Sequence, residues 1–267
     1  MVESSIWRRT IYHAGFMNRF MKKRTFAGTF AVLLLSSGLQ AQEKCPVEVK
    51  ILLPPPTVQT VIASLSFGKE AATRVYFFDT DSLDLLKQGV IVRVRQGAAN
   101  DLTVKVRAPA DNKQIDTALL REHFPCEIDR SGAGEETSYA IQRKYTPPQV
   151  PEKGADIVRQ FSASQEKLLR DLKASIDWTR VQRIADIGST KWATTAQPPL
   201  KLALELWEWP TGKILEVSTK TGPDGGESTY AEVQRLLKAK NLSLSAEQGT
   251  KTRIALETLT QSRSPAK

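Results

Sequence analysis

The stretch at residues 90–107, VIVRVRQGAANDLTVKVR, contains two segments in which polar and apolar residues alternate. They are residues 90–96 and residues 102–107, and the five residues between them have the length of a hairpin loop. Successive side chains of a strand point to opposite faces of the sheet. The stretch therefore predicts a β-hairpin with one basic face and one face of valine and isoleucine.

The basic face of this hairpin has two interpretations. Its charged residues are Arg93, Arg95, Lys105 and Arg107. In an open antiparallel sheet the charged face lies in solvent, and spacing alone favours that reading. In a closed barrel the same residues point into a water-filled lumen, and the apolar face packs against helices outside.

The rest of the chain predicts more hairpins, with helices between them. Further strands are predicted at residues 47–52, 74–78, 123–129, 139–145, 181–187, 200–209 and 213–219. Helices are predicted at residues 58–65, 83–88, 157–176, 229–238 and 252–259. This order, with antiparallel strands and separate helices, is typical of an α+β protein.

Four segments in the first half resemble, in order and spacing, the motifs of the CYTH or triphosphate-tunnel superfamily. Residues 46–50 (PVEVK) resemble its Glu-x-Glu-x-Lys strand, and residues 77–80 (FFDT) its Tyr-Phe-Asp-Thr segment. Residues 92–95 (VRVR) and 103–107 (TVKVR) resemble its two basic strands. In the second half, residues 204–205, 215–218 and 249–251 are similar to its late acidic strands and its terminal Thr-Lys.

The resemblance implies a closed antiparallel β-barrel of about eight strands, a tunnel with helices packed outside. Residues 42–267 would form this single domain. Members bind triphosphate compounds and hydrolyse them with one or two divalent metal ions, so Mg²⁺ or Mn²⁺ is the implied cofactor. The implied ligand is a phosphorylated small molecule or a polyphosphate.

The resemblance also assigns roles to individual residues. Phosphate oxygens would be bound by Lys50, Arg93, Arg95, Lys105 and Arg107, with Arg183 as a further candidate. The metal would be held by Glu48, Glu205 and Glu216. Glu48 and Lys50 would form the catalytic pair.

Two departures from the family pattern bear on catalysis. Pro46 stands where the first glutamate of Glu-x-Glu-x-Lys is expected, and Ser218 stands where a late glutamate often lies. Both remove negative charge from the metal site. The primary hypothesis is a metal-dependent phosphohydrolase, and the alternative is a non-catalytic, extracytoplasmic binder of phosphorylated ligands. A third possibility is a structural envelope protein with a solvated charged sheet.

The N-terminal segment predicts export. Residues 19–24 are rich in basic residues, residues 26–35 (FAGTFAVLLL) are apolar, and Ala41 offers a small residue for cleavage. Residues 1–41 therefore read as an N-terminal extension and signal peptide, whereas an uncleaved anchor or a buried helix is the alternative. Cleavage near Ala41 predicts a periplasmic or secreted protein with no stable membrane insertion.

Charge and motifs exclude several other functions. The formal net charge of +9 arises from 38 basic and 29 acidic residues, but residues 42–267 contain only 32 and 28. This mild excess does not argue for a nucleic-acid partner. The sequence contains no zinc-ligand spacing and no Walker A or Rossmann glycine pattern.

The two cysteines of the chain, Cys45 and Cys126, allow two interpretations. An even number of cysteines in an exported protein is typical of a disulfide. Two buried free thiols are the alternative, because sequence spacing does not show whether the residues are close.

Overall fold

The computed structural model describes residues 44–107, 116–195 and 200–262. The strands in these ranges are β1 (Val47–Leu53), β2 (Phe67–Asp79), β3 (Val90–Gly97), β4 (Asp101–Arg107), β5 (Cys126–Ser131), β6 (Gly134–Lys144), β7 (Gln182–Thr194), β8 (Ala203–Trp209) and β9 (Gly212–Thr221). They form one closed barrel in the order β1-β5-β6-β4-β3-β2-β7-β8-β9, and β9 pairs with β1. The predicted α+β barrel is confirmed, with nine strands in the described ranges and a parallel pairing of β1 with β5.

The helices in the described ranges are α1 (Val58–Ser64), α2 (Asp84–Lys87), α3 (Thr117–His123), α4 (Gly154–Val158), α5 (Ala163–Asp171), α6 (Gly226–Ala239) and α7 (Lys251–Gln261). None of the helices in these ranges is long and apolar enough to cross a membrane. The predicted signal peptide lies at residues 1–41, outside the described ranges.

The hairpin formed by β3 and β4 shows why the barrel closes with its charges inside. Its register pairs Arg93 with Thr103 and Val92 with Val104. The valines are buried in a core that includes Leu168 and Leu169 of α5. Because the apolar face packs against an external helix, the basic face points into the barrel. The solvated open sheet is therefore not the structure that forms.

Several predicted elements differ from the structure, and two of these differences have a local cause at a helix end. The predicted helix at residues 157–176 is two helices, α4 and α5, because Ser162 caps α5. Its hydroxyl accepts the N–H of Gln165, and the Gln165 side chain accepts the N–H of Ser162. The predicted strand at residues 123–129 begins only at Cys126, since His123 ends α3. Asp116 starts α3 by accepting the N–H of Leu119.

Apolar side chains fill one end of the barrel. Leu52, Phe77 and Ile91 lie on the faces of their strands that point into the barrel. All three belong to a buried apolar cluster. Ala255, Leu256 and Leu259 of α7 belong to the same cluster. The polar part of the lumen therefore lies toward the opposite end, where β1 and β5 begin.

A disulfide bond joins Cys45 to Cys126, across a sequence separation of 81 residues. Cys45 precedes β1, and Cys126 is the first residue of β5. The bond therefore connects two strands that are distant in sequence but adjacent in the barrel, and the free-thiol alternative does not hold.

Candidate active site

A cavity of about 410 Å³ occupies the polar part of the barrel. Every strand except β2 brings at least one polar or charged side chain to its lining in the described residues. Its cationic residues are Lys50, Arg93, Arg95, Lys105, Arg107, Lys191, Lys220 and Lys251. Its carboxylates are Glu48, Glu127, Glu205 and Glu216. Eight cationic side chains against four carboxylates make the lining net positive, which favours an anionic ligand.

Asp129, a buried residue that contacts three of these lining side chains, is the centre of an ion-pair network. Its Oδ1 atom lies 2.5 Å from Lys50 Nζ, and its Oδ2 atom lies 3.0 Å from both Lys105 Nζ and Arg107 Nη2. Burial opposes ionisation of Asp129, but Lys50, Lys105 and Arg107 outweigh it and hold the carboxyl pKa far below its usual range. One carboxylate thus orients three cationic side chains.

Lys50 and Lys105 respond differently to this network. Burial alone would lower the pKa of Lys50. Asp129 and Glu48 stabilise its ammonium group more strongly, so the pKa is raised above its usual value. Glu48 Oε2 lies 3.0 Å from Lys50 Nζ. Burial lowers the pKa of Lys105 to about 8, with Asp129 opposing that shift and Lys50 and Arg107 adding to it. Lys105 is therefore a cation near neutral pH that loses its proton in the mildly alkaline range.

Asp101 holds the arginines of β3 in place. Its Oδ2 atom accepts a hydrogen bond of 2.9 Å from Arg95 Nε, and Arg95 Nη2 lies 2.7 Å from the same oxygen. Thr103 donates to Asp101 Oδ1 at 3.0 Å and accepts a long hydrogen bond of 3.4 Å from Arg93 Nη2. Both arginines are therefore fixed through one buried carboxylate before any ligand binds.

A second group of charges involves the N-terminus of α7. Lys251 Nζ contacts Glu205 Oε2 and lies 2.7 Å from Glu216 Oε1. Burial opposes ionisation of Glu205, but Lys251, together with Ser189 and Trp207, lowers its pKa far below the usual range. The other oxygen of Glu216, Oε2, is buried and makes no hydrogen bond within the described residues.

The structure places the predicted site residues as follows. One cavity brings together Glu48, Lys50, Arg93, Arg95, Lys105, Arg107, Glu205 and Glu216. Arg183 does not join them. Its guanidinium donates to Val150 O, contacts Glu152 and lies over the ring of Tyr76. Of the predicted carboxylates, Glu205 and Glu216 pair with Lys251, whereas Glu48 pairs with Lys50.

The carboxylates at the cavity wall fit a divalent cation. Glu48, Glu127 and Asp129, called here the acidic trio, each bring one oxygen within 4.8 Å of the other two. Carboxylate oxygens are the ligands that Mg²⁺ and Mn²⁺ prefer. Lysine ammonium groups balance the negative charge of the trio. Lys50 contacts Glu48 and Asp129, and Lys220 contacts Glu127. A bound cation would therefore take over a balancing role that these lysines already have.

Sequence reasoning assigned no role to several residues of the site. Glu127 and Asp129 stand in the predicted strand at residues 123–129, but their alternation looks like that of any solvated face, and Lys191 lies beyond residue 187, where its strand was predicted to end. Lys220 lies one residue beyond the predicted end of the last strand, although its neighbour in β1 is Glu48. Lys251 belongs to the Thr-Lys pair that resembles the end of the family pattern, and this resemblance could have identified it as a site residue.

The same fold occurs in solved structures. A protein of Hippeastrum, described as a candidate adenylyl cyclase with a dominant triphosphatase activity, is 16% identical, with a TM-score of 0.54. The alignment covers 79% of this chain and 94% of that one. A protein of Bacillus halodurans, described as a candidate adenylate cyclase, is 18% identical over 79% of this chain and 98% of that one, with a TM-score of 0.52. No family model and no curated protein matches the sequence. The barrel has the CYTH, or triphosphate-tunnel, fold.

Proposed function

We propose that this protein is a divalent-metal-dependent phosphohydrolase that acts on triphosphate or a related phosphorylated polyanion. The observation that carries the proposal is the cavity itself, where eight cationic side chains surround a group of carboxylates. Phosphoryl transfer depends on positioning and on neutralising charge, and this lining supplies both. The triphosphatase activity named for the structural neighbour from Hippeastrum is consistent with the proposal.

The cationic side chains bind and orient the phosphate chain. Arg93 and Arg95 approach it from β3, held by Asp101 and Thr103. Lys50, Lys105 and Arg107 approach it from β1 and β4, held by Asp129. Because these groups are oriented before the ligand arrives, little side-chain entropy is lost on binding. Arginine also offers paired N–H donors that match phosphate oxygens.

The acidic trio would hold the metal ion, and Glu205 and Glu216 would balance charge deeper in the lumen. When bound, such an ion withdraws charge from phosphate oxygens and lowers the pKa of a coordinated water. Glu48 and Lys50 are proposed as the catalytic pair, because Lys50 Nζ lies between Glu48 and Asp129 and stays protonated. Lys50 is thus a fixed positive charge beside the reacting phosphate.

We propose a location outside the cytoplasm, in the periplasm or the medium. The Cys45–Cys126 disulfide supports it, because such bonds persist in oxidising compartments and are rare in the cytosol. The predicted signal peptide at residues 1–41 supports the same location. An inorganic polyphosphate or an organic phosphate from the surroundings would then be the natural ligand.

A second candidate function is binding of phosphorylated ligands without catalysis. The observation that favours it is the pairing of the lumen carboxylates with lysines. Lys50 and Lys220 contact the acidic trio, and Lys251 contacts Glu205 and Glu216. With Pro46 and Ser218 in place of acidic residues, each of these carboxylates already has a lysine partner and needs no metal ion to balance its charge.

Phosphate release from inorganic triphosphate separates the two functions. Protein comprising residues 42–267 is assayed with Mg²⁺, with Mn²⁺ and with a chelator, beside Glu48→Gln. Glu208→Gln is the matched control, because Glu208 is exposed on the outer face of β8. The hydrolase predicts metal-dependent release that Glu48→Gln abolishes and Glu208→Gln retains. No release, together with a melting temperature raised by triphosphate, would leave only the binding function.

A further inference from the structure

The pairing of β1 with β5, called here the seam, is the shortest ladder of the barrel in the described residues. These strands are parallel, and their register contains three residue pairs, Val47 with Ile128, Glu48 with Asp129, and Val49 with Arg130. Each of the other barrel ladders contains six pairs or more. A ladder with few hydrogen bonds constrains the spacing of its two strands less than a long one does.

The acidic trio lies across this seam. Glu48 is on β1, while Glu127 and Asp129 are on β5. Cys126 directly precedes Glu127 and itself lines the cavity. Cys45 lies three residues before Glu48, so the disulfide crosses the seam at the end nearest the trio.

We infer that the Cys45–Cys126 disulfide positions the acidic trio and thereby sets its affinity for a divalent cation. A divalent cation held by the trio would displace Lys50, which bridges Glu48 and Asp129, and the short ladder between their strands then offers little resistance to separation. Small divalent ions require near-ideal ligand geometry, so a modest shift between β1 and β5 weakens binding. This inference rests on the proposed function, since it assumes that the trio is the metal site.

Both strands joined by the bond have other partners in the barrel. β1 also pairs with β9 at seven positions, and β5 pairs with β6 at six. Both strands are thus held on their other sides, and Cys45→Ala/Cys126→Ala is expected to fold. Of the side chains proposed to bind phosphate, only Lys50 lies on a strand of the seam, while the others lie on β3 and β4, so binding of a metal-free anion is expected to change much less than binding of Mn²⁺.

The test measures Mn²⁺ affinity, from the electron paramagnetic resonance signal of free Mn²⁺, for the wild type and Cys45→Ala/Cys126→Ala. We expect the variant to bind Mn²⁺ about tenfold more weakly, the size of effect seen when groups that orient metal ligands are lost. Its affinity for metal-free tripolyphosphate, measured by calorimetry, should stay within about threefold of the wild type.

Leu168→Ala is the control for general destabilisation. Leu168 is fully buried in α5, away from the lumen, and its truncation lowers the melting temperature without touching the seam. It should leave Mn²⁺ affinity unchanged. Equal Mn²⁺ affinity in the wild type and the cysteine variant, or an equal loss in Leu168→Ala, overturns the inference alone. A wild type that binds no Mn²⁺ overturns the metal site of the proposed function and the inference with it.

Discussion

At Asp129, one buried carboxylate balances Lys50, Lys105 and Arg107. Removing one partner of a buried ion pair costs about 3–5 kcal/mol, because the remaining charges stay buried without compensation. A phosphate chain in the lumen would supply the missing negative charge. The network is therefore a structural support that a polyanionic ligand is able to replace.

This predicts a specific behaviour of Asp129→Asn. Without ligand and metal, the variant should be about 3 kcal/mol less stable than the wild type. Metal-free tripolyphosphate should raise its melting temperature by more than it raises that of the wild type. Thermal unfolding with and without ligand measures both effects, and Asp156→Asn, at a more exposed ion pair on α4, is the control. An unchanged melting temperature of Asp129→Asn would contradict this account of the network.

The lowered pKa of Lys105 predicts a pH dependence of ligand binding. A polyanion favours the protonated lysine, so binding is strongest below the pKa of about 8 and weakens as the pH rises through it. One pH unit above the pKa, recruiting the proton costs about 1.4 kcal/mol, or about tenfold in affinity.

Lys105→Arg provides the comparison for this effect, because arginine keeps its charge throughout the range. Calorimetry at pH 7 and pH 9 should show that the wild type loses about tenfold more affinity than Lys105→Arg. Protonation of the ligand changes the affinity of both proteins equally, so it does not affect the comparison between them. Parallel losses in the two proteins would show that Lys105 does not titrate in the site.

Residue types were more predictable than their partners. Alternation in the sequence identified Arg93, Arg95 and Lys105 as a basic face, and the structure places them in one cavity. Asp129 stood in a predicted strand as well, but its three partners come from β1 and β4. Such contacts depend on distances across the closed barrel, which no local pattern contains.

At the scale of elements, Gln165 anchors α5 to the barrel. Its side-chain amide donates to Leu102 O of β4 at 3.0 Å and to Ile141 O of β6 at 3.1 Å. Its carbonyl oxygen accepts the N–H of Ser162 at 2.9 Å. One buried side chain thus caps the helix and fixes it over two strands whose opposite faces line the cavity.

Gln165→Leu preserves volume and removes these hydrogen bonds. We expect a loss of about 1–3 kcal/mol, because buried polar groups are left without partners. Urea unfolding measures it as a lower midpoint with an unchanged slope. Glu166→Gln, exposed on the same helix, should change stability by less than about 0.5 kcal/mol. A Gln165→Leu midpoint equal to that of the wild type would contradict the anchoring role.

Element boundaries show what local patterns omit. The capping box at residues 162–165 is visible in the sequence, yet apolar spacing continues across it and suggested one long helix. The β2 strand begins at Phe67, well before the predicted residue 74, because its first half pairs only with β7. The parallel β1–β5 pair joins segments far apart in the chain, so adjacent patterns do not reveal it.

At the scale of the whole molecule, closure of the barrel turns an ordinary charge alternation into a site. The same residues on an open sheet would each face water and act separately. In the barrel, eight cationic side chains surround about 410 Å³, and α7 with its apolar cluster fills one end. Family motifs in the first half predicted this closure, whereas spacing alone favoured the open sheet.

The central claim is that this lumen binds a phosphorylated polyanion, and calorimetric titration with metal-free tripolyphosphate tests it most directly. The wild type should bind one equivalent, with an affinity that falls as salt rises. Arg93→Met, within the lumen, should lose about tenfold or more in affinity, as expected for a buried charged hydrogen-bond donor. Arg159→Met, on the exposed surface of the helical layer, should match the wild type. Equal binding by all three proteins, or no binding by the wild type, would contradict the account.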